Sequence, residues 1–119
     1  MLGRILVAHR NELILEVIQE MLQDIGYAVI LSTDGHRALG KAMSGNFNLI
    51  IVNHTLTGNL NGSQLVEYMR KYGVQVPIVG IAPETTWDFF ADSAKTKIDY
   101  ILPCPFDYTE LAKVIYSLL

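Results

Sequence analysis

Five short apolar runs punctuate the chain, and between them apolar residues recur at helical spacing. "ILVA" (5–8), "YAVILS" (27–32), "FNLIIVN" (47–53), "VPIVGIA" (76–82) and "IDYIL" (98–102) have the length and β-branched content of strands. Continuous apolar runs such as the first are the pattern of strands buried on both faces. Pro77 is tolerable near a strand's start, where a missing ladder donor costs least. The intervening segments predict helices. In "NELILEVIQEMLQDIGY", Asn11 caps, Ile14, Val17, Ile18, Met21 and Ile25 form the inward stripe, and Gly26 terminates. "TDGHRALGKAMSG" has Asp34 as cap and Ala38, Leu39, Ala42 and Met43 on one face. Ser63 to Tyr72 turns Leu65, Val66 and Met69 inward. "PETTWDFFADSAKTK" predicts a helix with Pro83 in or before its first turn. "FDYTELAKVIYSLL" opens on Asp107 and Glu110, a start close to a capping box, with Leu111, Val114, Ile115 and Leu118 inward.

Strands alternating with helices imply a parallel sheet covered on both sides. With right-handed crossovers, the expected architecture is α/β: a flavodoxin-like (βα)5 doubly wound parallel five-stranded sheet, order 2-1-3-4-5. Sites in such folds lie beyond the C-terminal strand ends, where the strand order reverses. Here that means just after Ala8 and just after Val52.

Composition narrows the function classes. The 119 residues are half hydrophobic, enough for one core, and residues 1–119 read as one domain. Net charge is -3 and the nine Lys/Arg are scattered, so direct nucleic-acid binding is not expected. The single cysteine, Cys104, excludes an intrachain disulfide and fits a reducing compartment. The N-terminal apolar run is too short for a signal peptide or a membrane span. These features predict a soluble cytoplasmic protein.

In order, spacing and length, these segments together resemble a response-regulator receiver (CheY-like) domain. The resemblance covers essentially the whole chain. It is carried by "RILVA", "TDGHRAL", "FNLIIVN", "NGSQLVEYMR", "VPIVGIA" and "PFDYTELAKVI". It implies a phosphate-accepting aspartate at the end of the third strand, where this chain has Asn53. It implies two acidic residues after the first strand, which here are His9 and Arg10. A Thr or Ser is implied at Ala82, and a lysine at Cys104, which precedes Pro105. The loop "NHTLTGNLNG" also departs, with Leu56-Thr57 where Met-Pro is usual and one extra residue before Gly62. The signalling aromatic of the fifth strand would fall at Ile101, one place after Tyr100.

The implied pocket holds three carboxylates and an ammonium, and this one holds a guanidinium among neutral partners. Magnesium prefers hard anionic oxygens. An arginine repels it by about 4 kcal/mol at roughly 4 Å and an effective dielectric near 20. No cofactor is therefore expected, Mg binding included, and an amide is no nucleophile for phosphoryl transfer. The resemblance with these departures implies a degenerate pseudo-receiver, not an enzyme, acting as a phosphorylation-independent protein-interaction module in two-component signalling. The alternative is a small anion- or nucleotide-binding sensor on the same fold, although no glycine-rich phosphate motif is present.

Within this frame, Arg10 either bonds Asn53 and loop carbonyls or points into solvent. An anion held by Arg10, His9 and the amides after Asn53 is the minor alternative. A metal at His9, Asn53 and His54 is disfavoured, since successive strand residues point oppositely. Cys104 reads as a small, semi-buried replacement for the lysine. On the predicted fourth helix Trp87, Phe90, Ala91 and Ala94 share the inward face, leaving Phe89 roughly 200° away from Trp87 and exposed. The resemblance makes the face of the fourth helix, fifth strand and fifth helix the partner or homodimer surface. Phe89, Lys95, Lys97, Tyr100 and Tyr108 are its candidate residues.

Overall fold

A computed structural model describes residues 2–83 and 89–119. Its elements are β1 (Arg4–Ala8), α1 (Glu12–Ile25), β2 (Ala28–Ser32), α2 (Gly35–Ser44) and β3 (Leu49–Asn53), then α3 (Gly62–Lys71), β4 (Ile78–Ala82), α4 (Asp92–Lys95), β5 (Tyr100–Pro103) and α5 (Tyr108–Leu118). All ladders are parallel, and the strand order is β2-β1-β3-β4-β5, as the alternation of elements predicts.

Side-chain alternation along the strands splits the core in two. Ile5, Val7, Leu49, Ile51, Val79, Ile81 and Leu102 pack with Leu15, Ile18 and Leu22 of α1 and Leu111, Val114 and Ile115 of α5. Leu6, Ala8, Ile50, Val52, Ile78 and Ile101 pack with Ala38 and Ala42 of α2, Leu65, Val66 and Met69 of α3, and Ala94 of α4. Each fully buried Leu or Ile contributes about 1.5–3 kcal/mol, so both layers are strongly fixed. Gly80 belongs to the second face, where a Cβ would stand 2.8 Å from Ile101 and 2.9 Å from the Phe90 ring. Its missing side chain is what lets Phe90 lie on β4.

The caps match the sequence. Asn11 accepts from the amides of Leu13 and Ile14, Asp34 from Arg37, and Asp107 forms a full capping box with Glu110. Asn61 and Gln64 form another at the start of α3. Three burial expectations are corrected. Val17 and Met43, predicted inward, are 50% and 53% exposed, while Leu15 and Leu22 fill the inward face of α1. Ala91, also predicted inward, is exposed and caps α4.

The predicted fourth helix is corrected as well. Over its described part the α-helix begins only at Asp92, with Phe89 in a 3-10 turn and Phe90 in a bend before it, and residues 84–88 of the predicted helix lie outside the described residues. Trp87 lies outside the described residues. The amide of Ala91 donates to Ser63 Oγ at 2.9 Å, tying the start of α4 to α3.

Candidate functional site

At the C-terminal sheet edge, the pairing of Ala8 with Val52 sets His9 beside Asn53. Both continue the face that carries Ile5, Val7, Leu49 and Ile51. They line a cleft of about 430 Å³ with Arg10, Asn11, Ile14, His54, Thr55, Ala82, Pro83 and Cys104. The fold therefore gathers all five residues of the predicted pocket: His9, Arg10, Asn53, Ala82 and Cys104.

Asn53 is 5% exposed, and its Nδ2 donates to the Thr55 carbonyl at 3.1 Å and to Thr55 Oγ1 at 2.9 Å. Because a carbonyl only accepts, this network fixes which end of the amide is nitrogen. Of the two readings of Arg10 the solvent-facing one holds: Asn53 closes locally on Thr55, and Arg10 is exposed at the rim. A polar side chain bonding to backbone two residues on is common at turns, and that spacing is the signal by which Thr55 could have been found.

The loop beyond is anchored on both sides. Thr57 bridges to Asp34, its amide and hydroxyl both donating to the Thr33 carbonyl at 2.9 Å. Gly62 amide donates to the His54 carbonyl at 3.2 Å, and a Cβ at Gly62 would overlap the Asn53 carbonyl oxygen. Only glycine lets α3 start this close beneath β3.

His9 is 6% exposed, and its Nδ1 accepts from the Asn11 amide at 3.0 Å. Burial, followed by the nearby His54 imidazole, pushes its pKa from 6.5 down to about 4. The His54 pKa is also lowered by burial, with the Ile81 carbonyl pulling the other way. Both imidazoles are thus neutral at pH 7. Among the described lining residues Arg10 then carries the only formal charge, and none of these is a carboxylate. Nδ1 of His54 is buried without a hydrogen-bond partner, and its ring meets Phe89 edge-on with centroids 5.1 Å apart. Among the described residues no group of three or more His, Cys, Asp or Glu is placed to hold a metal ion.

The candidate partner residues are dispersed, with Phe89, Lys97, Tyr100 and Tyr108 exposed and Lys95 half-buried. Phe89 is 39% exposed and packs on His54 at the cleft's edge. Tyr100, 44% exposed, borders a groove between β5 and α5 with Glu110, Lys113 and Ser117. Tyr108 is 43% exposed at the start of α5. Lys95 pairs with Asp92 at 3.1 Å. Lys97 faces α3 instead, beside Gln64, Glu67, Tyr68 and Lys71. Buried Ile101 occupies the place of the fifth-strand aromatic.

At the opposite sheet edge, Arg70 is a structural hub that sequence reading missed. Its guanidinium donates to the carbonyls of Val74, Val76 and Lys97 and to Asp99 Oδ2, and Asp99 Oδ2 also accepts from the Ile78 amide. Among the described residues no helix is long and apolar enough to cross a membrane.

Comparison with known proteins agrees with this layout. Transcriptional regulatory protein PcoR of Escherichia coli is 28% identical, over 98% of this chain and 51% of its own length. Transcriptional regulatory protein DltR of Streptococcus agalactiae is 31% identical, over 91% of this chain and 48% of its own. The chain thus spans about half the length of these curated relatives. Response regulator TrrA of Thermotoga maritima, solved with Mg²⁺ and BeF, superposes with a TM-score of 0.87 at 27% identity, over 99% of this chain and all of TrrA. The receiver domain of sensor histidine kinase PA1611 of Pseudomonas aeruginosa, solved with magnesium in its active-site cleft, shares the fold with a TM-score of 0.89 at 24% identity, over 98% of this chain and 96% of its own. A model of the response regulator receiver domain matches residues 5–116, and the chain belongs to that family.

Proposed function

We propose that this receiver domain works without being phosphorylated and acts through protein contacts in a two-component pathway. The observation that carries this reading is Asn53, buried at the end of β3 with its amide committed to Thr55, in a cleft where none of the described lining residues is a carboxylate. Phosphoryl transfer to a receiver needs a nucleophilic carboxylate and anionic oxygens for a divalent cation. Among the described residues the cleft offers two amide side chains, a threonine, a cysteine, two neutral imidazoles and a guanidinium. A hard cation such as Mg²⁺, which the family implies, does not fit this donor set. The relatives' magnesium sites therefore do not carry over to these residues.

With the cleft silent toward phosphate, signalling falls to the surface. The region of α4, β5 and α5 supplies exposed Tyr100 and Tyr108 and half-buried Lys95, with exposed Phe89 just before α4 and Lys97 at its α3 border. We place the protein in the cytoplasm, bound to protein partners or to a second copy of itself through this face. Incubation with radiolabelled acetyl phosphate and Mg²⁺ tests the reading. No acid-labile aspartyl phosphate forms on this domain under conditions that label an intact receiver, and stoichiometric labelling would overturn the proposal.

A further inference from the structure

Two deeply buried polar side chains in the cleft have one committed end each. His9 uses Nδ1 to accept from the Asn11 amide, so the neutral ring carries its proton on Nε2, a donor. Asn53 spends Nδ2 on Thr55, so its remaining function is Oδ1, an acceptor. Among the described residues neither Nε2 of His9 nor Oδ1 of Asn53 has a partner. Both residues line the same cleft and are 6% and 5% exposed. Neither atom is closed off from the cleft, unlike Nδ1 of His54, so an occupant with a matching donor and acceptor can take the place of water there. The buried, unmatched Nδ1 of His54 lies in the same wall.

The complement of this surface is specific. A donor beside an acceptor matches a hydroxyl, which does both. The exposed guanidinium of Arg10 at the rim matches a carboxylate, which it can bind in a two-pronged fashion. Ile14 and Ala82 provide an apolar wall for a short aliphatic chain. A phosphate dianion fits less well, since it would set acceptor oxygens against Asn53 Oδ1. A metal cation is opposed by Arg10.

We propose that the cleft binds a short 2-hydroxycarboxylate, its carboxylate on Arg10 and its hydroxyl between His9 Nε2 and Asn53 Oδ1. This rests on the reading that the cleft takes no phosphoryl group, and it gives the site a small-molecule input in place of phosphorylation. No bond is made or broken.

The test is titration of the whole chain at pH 7.5 in EDTA, followed by heteronuclear NMR. Lactate and glycolate are compared with propionate and acetate, their counterparts lacking the hydroxyl, and with inorganic phosphate. The hydroxy acids shift the amides around Asn11 and Thr55 saturably and bind about tenfold more tightly than the counterparts, the worth of one satisfied hydrogen bond. Arg10→Gln, at an exposed position, weakens every carboxylate. His9→Asn keeps an acceptor for the Asn11 amide but has no Nε2, so it removes the preference for the hydroxy acid. Equal binding of hydroxy and deoxy acids, preference for phosphate, or no saturable response overturns the proposal. EDTA separates the two readings: phosphate uptake with Mg²⁺ would defeat the proposed function, whereas failure of the hydroxy acids here defeats only this inference.

Discussion

The burial of His9 makes the stability of the fold depend on pH in a calculable way. Its pKa is about 4 in the folded protein against 6.5 for an ordinary histidine. Between those values the unfolded chain holds the proton and the folded one does not. Stability from this residue is therefore intact above pH 6.5, falls as the pH drops from there to about 4, and is level below. The difference of 2.5 between the two values corresponds to about 3 kcal/mol, a large part of a typical domain's 5–15 kcal/mol. His9→Asn isolates this contribution from that of the carboxylates and of His54, because asparagine still accepts from the Asn11 amide and does not titrate. Urea denaturation from pH 7.5 to 4 should show wild type losing about 3 kcal/mol more than the variant. In parallel, the His9 ring protons should stay unshifted by NMR until well below pH 6. If the two stability curves run parallel and the ring titrates near 6.5, the account of a desolvated His9 is wrong.

Arg70→Ala should cost about 2–3 kcal/mol in urea denaturation, because three backbone carbonyls and Asp99 lose their donor at once. A loss below about 0.5 kcal/mol would reduce Arg70 to an ordinary surface cation. Asn53→Asp should remain inert to acetyl phosphate and lose about 2 kcal/mol of stability, since the bond to the Thr55 carbonyl goes and a charge enters a buried position. Labelling of that single variant would show that the rest of the cleft still supports the chemistry. Phe89→Ala should lose partners in an affinity pull-down beside wild type, and unchanged capture would place the working surface elsewhere.

The sheet and its order were legible because strand runs and helical stripes alternate cleanly, and because Asn11, Asp34 and Asp107 have oxygens where helix amides need acceptors. The margins were not. Val17 and Met43 sit at the edges of their stripes, where a rotation of some tens of degrees decides between core and solvent. Phe89 was assigned to a helix because its segment carries helical spacing, yet the described helix starts after Phe90, and the Phe89 ring meets His54 instead. The five cleft residues could be read from sequence, but their bonding could not. Asn53 turning to Thr55 instead of Arg10 depends on the path of the following loop, which the Thr57 bridge to Asp34 sets. Arg70 escaped notice because its carbonyl partners are contributed by backbone, which residue identity does not reveal.

The central claim is that the cleft has left Mg²⁺-dependent phosphoryl chemistry behind. Adding Mg²⁺ and beryllofluoride to isotopically labelled protein while recording amide spectra tests it most directly. The account predicts no saturable change at His9, Asn53, His54 or Ala82, whereas a Mg²⁺-dependent shift of these amides that saturates as in an intact receiver would contradict it.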